Sequence, residues 1–294
     1  MTRASATVAL SGEGADELFG GYLTQRASLL ARKVRRIPSS MLRALLAAAR
    51  SWPVSDDKIG FEYKVKRFLE GCLMSPARAH VYWGGTFGDD EKRSLIQSAL
   101  PPALDAVTGE LAAAGSDTGA LLWFDQKYFL PDNILTKVDR ASMAHAIEVR
   151  PPFLDHRIVE FANSLPARLR IDGARQKVVL RNLMRARLGP VIVNRKKVGF
   201  DIPAHDWFRG PLRPVLEEAL AFASAEQGGF FDLPKIKTMV QAHLERRSNL
   251  GFHLWGLMTL FLWMKRWRIQ TGTPAGLERP RMEQPTSKAT ASML

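Results

Sequence analysis

A mostly α-helical chain with few strands is the fold that the sequence predicts. Three observations carry this expectation. Apolar residues recur at helical spacing in most segments between Leu23 and Trp267. Ser, Asp and Pro stand where such segments begin. Only residues 7–10 read as a core strand, an apolar run that ends at once in a glycine-rich turn. With 294 residues, 46% of them hydrophobic, the chain suffices for one large core or two small ones.

The elements follow in order. Residues 23–36 read as a basic helix ended by Pro38, and Ser39 or Ser40 caps the next, through about Arg50. Residues 58–73 place Phe61, Val65, Phe68 and Leu69 on one helical face. Ser75-Pro76 is a cap and first-turn pair. Asp89 caps residues 90–99, Pro101-Pro102 breaks the chain, and a helix then runs to Ala114. Gly115-Ser116-Asp117 is a loop. Residues 118–130 and 132–145 read as two helices separated near Pro131. Asp155 caps residues 156–164, and residues 176–188 form a helix ended by Gly189-Pro190. Residues 211–222, 234–247 and 252–267 complete the helical part. A tail over 270–294, rich in Pro, Thr, Ser and Ala, is expected to be disordered.

The most informative stretch is Ser11-Gly12-Glu13-Gly14-Ala15-Asp16-Glu17-Leu18-Phe19-Gly20-Gly21-Tyr22. It lies between the predicted strand and a helix. Glycines let a backbone turn sharply and approach a ligand, and an anion at a helix start meets unpaired N–H donors. Glu13 and Asp16 add two carboxylates, and carboxylates beside a phosphate site usually share it with Mg²⁺. The local expectation is a nucleotide or pyrophosphate site at the carboxyl end of a strand. Read singly, Ser11-Gly12 is an ordinary tight turn and Asp16 a helix-start acid.

The stretch closely resembles the SGEGADELFGGY signature of the asparagine synthetase family. LPDNILTKVDRASMAHAIEVRPPFLDHRIVEFA at 130–162, RQKVVLR at 175–181 and RKKVGFDIP at 195–203 resemble further blocks of that family, in its order. The resemblance implies an α/β fold of the adenine-nucleotide alpha-hydrolase type. Most of its parallel sheet would lie upstream of Met1, which leaves this chain mostly helical with few parallel strands. It also implies that residues 1–269 form a partial, C-terminal synthetase domain. No SGGxDS phosphate loop occurs in the sequence, and the one cysteine, Cys72, does not stand where the family's N-terminal glutaminase nucleophile does. The isolated chain is therefore expected to make no asparagine. It would need a glutaminase and phosphate-loop half, in a fuller chain or a partner subunit.

The implied reaction joins ammonia to aspartate in two steps. ATP activates the side-chain carboxylate as β-aspartyl-AMP, and ammonia displaces AMP; ATP and Mg²⁺ are the implied cofactors. Ser11 and Gly12 match positions that meet ATP, Glu13 the essential acid near the reacting carboxylate, and Asp16 a carboxylate near Mg²⁺ and pyrophosphate. Lys197 matches the family lysine that stabilises phosphate charge, with Lys196 its neighbour. Lys177 is a second phosphate-facing candidate, or else a solvent lysine. Within the 130–162 block, Asp139, Arg140, Glu148, Arg150 and Asp155 are charges set among apolar residues. Glu148, Arg150 and Asp155 are expected to form an ion-pair network that positions the site, and Pro151-Pro152 stiffens its corner. A relative that adenylates another acid, such as a β-lactam or peptide-cyclising synthetase, shares these features, and so does an inactive fragment.

Composition narrows the remaining classes. The single cysteine excludes a disulfide framework and suits a reducing cytoplasm. The N-terminus lacks a signal-peptide pattern, and the most apolar run, 252–263, is too short to span a bilayer. Net charge is +13, and residues 165–197 hold ten basic residues against Asp172 alone. Such a patch suits a polyanion, but no nucleic-acid module is visible, and a solvated arginine-rich surface accounts for most of it. His145 and His156 match no metal spacing. Trp255, Phe261, Trp263 and Trp267 are expected to pack helices together, and Cys72 to be a small buried residue.

Overall fold

The computed structural model describes residues 2–55, 60–98, 103–195, 199 and 202–271. After a short 3-10 turn, β1 (Val8–Leu10) leads through the glycine-rich loop into α1 (Ala15–Phe19). There follow α2 (Leu23–Val34), α3 (Ser39–Arg50), α4 (Phe61–Cys72), α5 (Pro76–Gly84), α6 (Asp89–Leu95) and α7 (Ala103–Ala114). Next come α8 (Thr118–Phe124), a π-helical stretch (Asp125–Leu135) and α9 (Thr136–Met143) as one continuous rod. The chain continues through β2 (Glu148–Arg150), α10 (His156–Ser164), α11 (Ala167–Arg170), β3 (Ile171–Asp172), β4 (Arg175–Gln176) and α12 (Val178–Val193). It closes with α13 (Ala204–Trp207), α14 (Arg213–Glu226), α15 (Leu233–Leu244) and α16 (Gly251–Trp267). No helix among the described residues is long and apolar enough to cross a membrane.

β1 and β2 pair in parallel, Val8 opposite Glu148 and Leu10 opposite Arg150. β3 and β4 pair antiparallel. Among the described residues four apolar clusters hold the helices. The largest joins α13, α14, α15 and α16 around Phe208, Leu216, Ile236, Leu254 and Phe261, and it takes in Leu95 of α6. A second packs α2, α3 and α4 through Ala31, Leu42, Leu46, Leu69 and Cys72. A third gathers Ala77, Leu111, Ala120 and Phe124. The fourth seats Leu18 and Phe19 of α1 against Ala162 of α10, and thereby fixes the glycine-rich loop.

Several expectations are corrected. Residues 8–10 of the expected 7–10 do form a strand, but it is no core strand. Val8 and Leu10 are exposed, Leu10 by 75%, because β1 has a partner on one edge only among the described residues. Pro131 does not divide the rod into separate helices. It sits inside the π-helical stretch, where the wider turn moves the carbonyl four residues back away from the proline ring. Phe61 is 67% exposed and stacks edge-on with Trp52 rather than joining the core face. α6 is capped by Gly88, whose N–H donates to Glu91 (2.6 Å), with Asp89 already helical. It ends at Leu95 because Ile96 bridges to Phe231, and the N–H of Gln97 donates to the carbonyl of Phe230 (2.8 Å). Gln176 belongs to β4, and the helix after it breaks at Gly189 and resumes through Pro190 to Val193. Trp263 and Trp267 are exposed, whereas Phe261 is buried. Pro101-Pro102 and the tail from residue 272 lie outside the described residues.

Candidate functional site

The site grows from the end of β1. The N–H of Ser11 donates to the carbonyl of Arg150 (3.0 Å), so the loop leaves β1 still tied to β2. The Ser11 hydroxyl and one carboxylate oxygen of Glu13 are buried without a hydrogen-bond partner among the described residues. Gly12 between them is exposed, and a Cβ there would meet nothing within 4 Å. Two unsatisfied polar atoms flanking a patch of bare backbone suit a polar ligand, because buried polar atoms are rarely left unpaired. Gly14 then takes a φ of +89°, and an added Cβ would overlap the side chain of Leu154. The helix it opens has five residues. That is too short for a sizeable macrodipole, so what it offers an anion is local N–H groups.

Asp16 and Lys177 meet across this loop. Lys177 Nζ lies 2.9 Å from Asp16 Oδ1, and the two side chains are 25% and 17% exposed. The corner between β4 and α12 is stitched down to permit it. The Lys177 N–H donates to the carbonyl of Phe19 (3.2 Å) and the Gln176 amide to that of Tyr22 (2.9 Å). Lys177 itself is left-handed, with φ 53°, a conformation uncommon for a residue with a side chain. Gly21 lies beneath the pair, where a Cβ would overlap Asp16 Oδ1 and stand 2.6 Å from Lys177 Cε. Asp16 and Lys177, expected to face Mg²⁺ and phosphate separately, face each other here. Among the described residues no group of three or more His, Cys, Asp or Glu is placed to hold a metal ion. Asp16 therefore fits Mg²⁺ only as one carboxylate beside phosphate ligands. Ser11, Gly12 and Glu13 fit a nucleotide by their unpaired polar atoms and bare backbone.

A buried polar layer lies under the loop. The Tyr22 hydroxyl donates to Glu17 (2.5 Å), which is only 1% exposed. Burial pushes the Glu17 carboxyl above the usual glutamate value, against the lowering effect of that hydrogen bond. Burial, then the contact with Glu17, raises the Tyr22 phenol far above its ordinary value. The Gln25 amide donates to Asp125 (2.7 Å), Asp125 meets His80 (3.0 Å), and His80 meets Ser28 (2.9 Å). The sequence reading assigned no role to these six residues, although Glu17 and Tyr22 lie in the signature run. The one available signal was Gln25, three positions after Tyr22, whose side chain accepts from the Tyr22 N–H as in a capping box (3.0 Å).

Other candidates lie apart. Glu148 pairs with Arg150 (2.7 Å) on the surface, and Asp155 pairs with Arg157 (2.8 Å). The expected Glu148–Arg150–Asp155 network is therefore two separate contacts, each between residues two apart on one segment. The Arg157 guanidinium holds the Asp155 carboxyl well below the usual range, and Asp155 also caps α10 by accepting from the Arg157 N–H. Asp139, Arg140, His145 and His156 are exposed. Cys72 is buried, and burial pushes its thiol up. Part of the basic 165–197 segment serves the fold. Arg170 is buried, and Arg181 donates to the carbonyls of Val193 and Arg195. Lys196 and Lys197 lie outside the described residues.

Comparison with known proteins gives this geometry a lineage. The chain is 27% identical over 262 residues to "Asparagine synthetase [glutamine-hydrolyzing] 1" of Bacillus subtilis (strain 168), covering 87% of this chain and 40% of that protein. It is 29% identical over 266 residues to a "Putative asparagine synthetase [glutamine-hydrolyzing]" of Mycobacterium tuberculosis (strain ATCC 25618 / H37Rv), covering 89% and 39%. It is 26% identical over 270 residues to "Amidase chyE" of Penicillium rubens, covering 83% and 39%. The chain thus spans about two fifths of the length of these relatives. No significant match to a solved structure was found. The family profile described as asparagine synthase matches residues 1–267, which include the loop from Ser11 to Tyr22, β2 and the Lys177 corner, and the chain belongs to the asparagine synthase family.

Proposed function

We propose that the loop from Ser11 to Asp16 is part of an active centre for ATP-dependent amide formation, with aspartate, ATP and ammonia as substrates and asparagine as product. In this reading β-aspartyl-AMP connects the two steps. The observation that carries it is the pair of buried atoms without a partner among the described residues, Ser11 Oγ and Glu13 Oε2, on either side of the open backbone at Gly12. The Ser11 hydroxyl binds phosphate or ribose oxygen, and Gly12 lets the nucleotide approach the backbone. Glu13 holds ammonia beside the activated carbonyl and accepts its proton. Lys177 supplies a positive charge at the pyrophosphate side. Lys197 is assigned the same task from its place in the family motif alone. Mg²⁺ held through Asp16 would offset charge on the leaving pyrophosphate.

The relatives' greater length supports a division of labour. In it, these residues form the C-terminal side of the centre, within an α/β sheet of the adenine-nucleotide alpha-hydrolase type that β1 and β2 begin. A phosphate-cradling loop and a glutaminase domain come from sequence beyond these 294 residues. A second reading keeps the adenylation and changes the acid, and the relatives named as amidases favour it.

Exchange of pyrophosphate into ATP tests both readings. The assay uses the chain joined to, or mixed with, the N-terminal portion of an asparagine synthetase, against a panel of carboxylic acids. Exchange stimulated by aspartate supports the first reading and exchange with another acid alone supports the second. Loss of exchange with no acid effective would overturn both.

A further inference from the structure

We propose that Asp125 is a positioning residue, which clamps the signature helix from below and thereby holds Asp16 under Lys177. The inference rests on the reading of the Ser11–Asp16 loop as an active centre. It is drawn from the π-helical stretch, a rare geometry that recurs where a protein must aim particular side chains. The first two residues of that stretch reach α1 and the first turn of α2. Gln126 donates to the carbonyl of Glu17 (3.3 Å). Asp125 accepts from the Gln25 amide (2.7 Å), and that amide also lies 3.5 Å from the carbonyl of Asp16. The same carbonyl accepts the N–H groups of Gly20 (3.0 Å) and Gly21 (2.9 Å). One backbone oxygen of the residue that pairs with Lys177 is thus the meeting point of the turn and the clamp.

The clamp has a direction. The Gln25 carbonyl oxygen is committed to the Tyr22 N–H (3.0 Å), so only its NH₂ faces Asp125. Position 125 must accept there. On its other side it meets His80 Nε2, and His80 Nδ1 meets the Ser28 hydroxyl (2.9 Å). A hydroxyl both donates and accepts, so the His80–Ser28 pair suits either tautomer. An asparagine at 125 therefore keeps both contacts. Its oxygen accepts from Gln25, its NH₂ donates to His80 Nε2, and His80 turns its proton to Ser28. A leucine keeps the volume and loses both contacts.

Competitive acetylation of the folded 294-residue chain, read lysine by lysine by mass spectrometry, tests this without catalysis. Lys265, paired with Glu218 (2.8 Å) in the C-terminal helical cluster, is the internal reference. Asp125→Leu should raise Lys177 labelling relative to Lys265 by about two- to a hundredfold, the range that coupled neighbours show. Asp125→Asn should leave it at the wild-type level. If Asp125→Leu does not fold, Gln25→Met, which removes the link and the acceptor for the Tyr22 N–H but leaves the Asp125–His80 contact in place, decides the same comparison. Unchanged Lys177 labelling in a folded Asp125→Leu or Gln25→Met chain overturns the clamp, and so does Asp125→Asn behaving like Asp125→Leu. In the assembled enzyme, turnover should fall with the leucine and return with the asparagine. Altered labelling with no exchange activity in any form, wild type included, would leave the clamp standing and refute the active-centre reading instead.

Discussion

Gly21→Ala isolates the Asp16–Lys177 pair. Gly21 does not have a positive φ, so alanine brings no backbone strain. By itself such a change stabilises a chain by about 0.4–1 kcal/mol through its unfolded state. The added Cβ, however, would overlap Asp16 Oδ1 and crowd Lys177 Cε at 2.6 Å. Asp16 has two ways out. It can rotate off Lys177, which separates two ions that are both mostly buried. Or it can push the Gly20–Gly21 turn outward, against two N–H bonds to its own carbonyl. Overpacking of this kind costs about 1–3 kcal/mol, so the net loss should be about 0.5–2 kcal/mol after the unfolded-state gain. With an unfolding entropy of about 2 cal/mol/K per residue, that is a fall in Tm of roughly 1–4 °C. Circular dichroism melts of the purified chain read it. The sign supplies the control. In an Asp16→Ala background the overlap with Oδ1 is gone, and Gly21→Ala should become neutral or stabilising. An equal loss in both backgrounds, or none in the wild type, would refute the packing of the pair over Gly21.

Three further outcomes are expected, two from the same geometry and the third from the family motif alone. Gly12→Ala should raise Tm by about 1 °C, since its Cβ meets open space and the unfolded chain loses freedom, yet lower exchange activity in the assembled enzyme, where the proposed centre has the nucleotide approach this backbone; a melt beside an exchange assay separates the two effects. Glu17→Gln should stabilise the chain at pH 8 and lose that advantage as pH falls. The carboxyl is raised above its usual value by burial, so its ionised form is penalised in the fold above the raised value, and protonation relieves the penalty; melts across pH 4–8 check the sign. Lys197→Ala in the assembled enzyme should lower turnover more than apparent ATP affinity, since charge on the leaving pyrophosphate grows in the transition state, while Lys196→Ala changes little; steady-state kinetics of the two variants fix the register of that motif.

Local chemistry made much of the helical region legible. Asp155 caps its helix by accepting from the Arg157 N–H, as expected of its side chain, and Asp117, expected only as part of a loop, caps α8 by accepting from Ala120. The strand at Val8–Leu10 and the sharp loop after it were also readable, because apolar run and glycines sit in one short window. What stayed hidden depends on partners far along the chain. Nothing near Asp16 announces that Lys177 neutralises it. Nothing near His80 or Asp125 marks them as neighbours of Gln25. Pro131 misled because the rule that proline ends a helix assumes α-helical bonding, and the chain there is π-helical. Trp263 and Trp267 misled because helical spacing marks a face without saying whether anything covers it. Residue type and motif placed Ser11, Gly12 and Glu13 on one loop; only the fold shows that two of them keep buried polar atoms unpaired among the described residues.

The central claim is that Glu13 stands at the chemistry of an ATP-dependent amide synthesis. Its most direct test is ammonia-dependent asparagine and AMP formation by the assembled enzyme, wild type against Glu13→Gln. The substitution keeps size and hydrogen-bonding reach and removes the charge. Loss of one electrostatic contact to a transition state commonly costs about 10²–10³ in rate, and a fall of that order, with the fold intact by circular dichroism, is the result predicted. Unchanged turnover of the Glu13→Gln enzyme would contradict it.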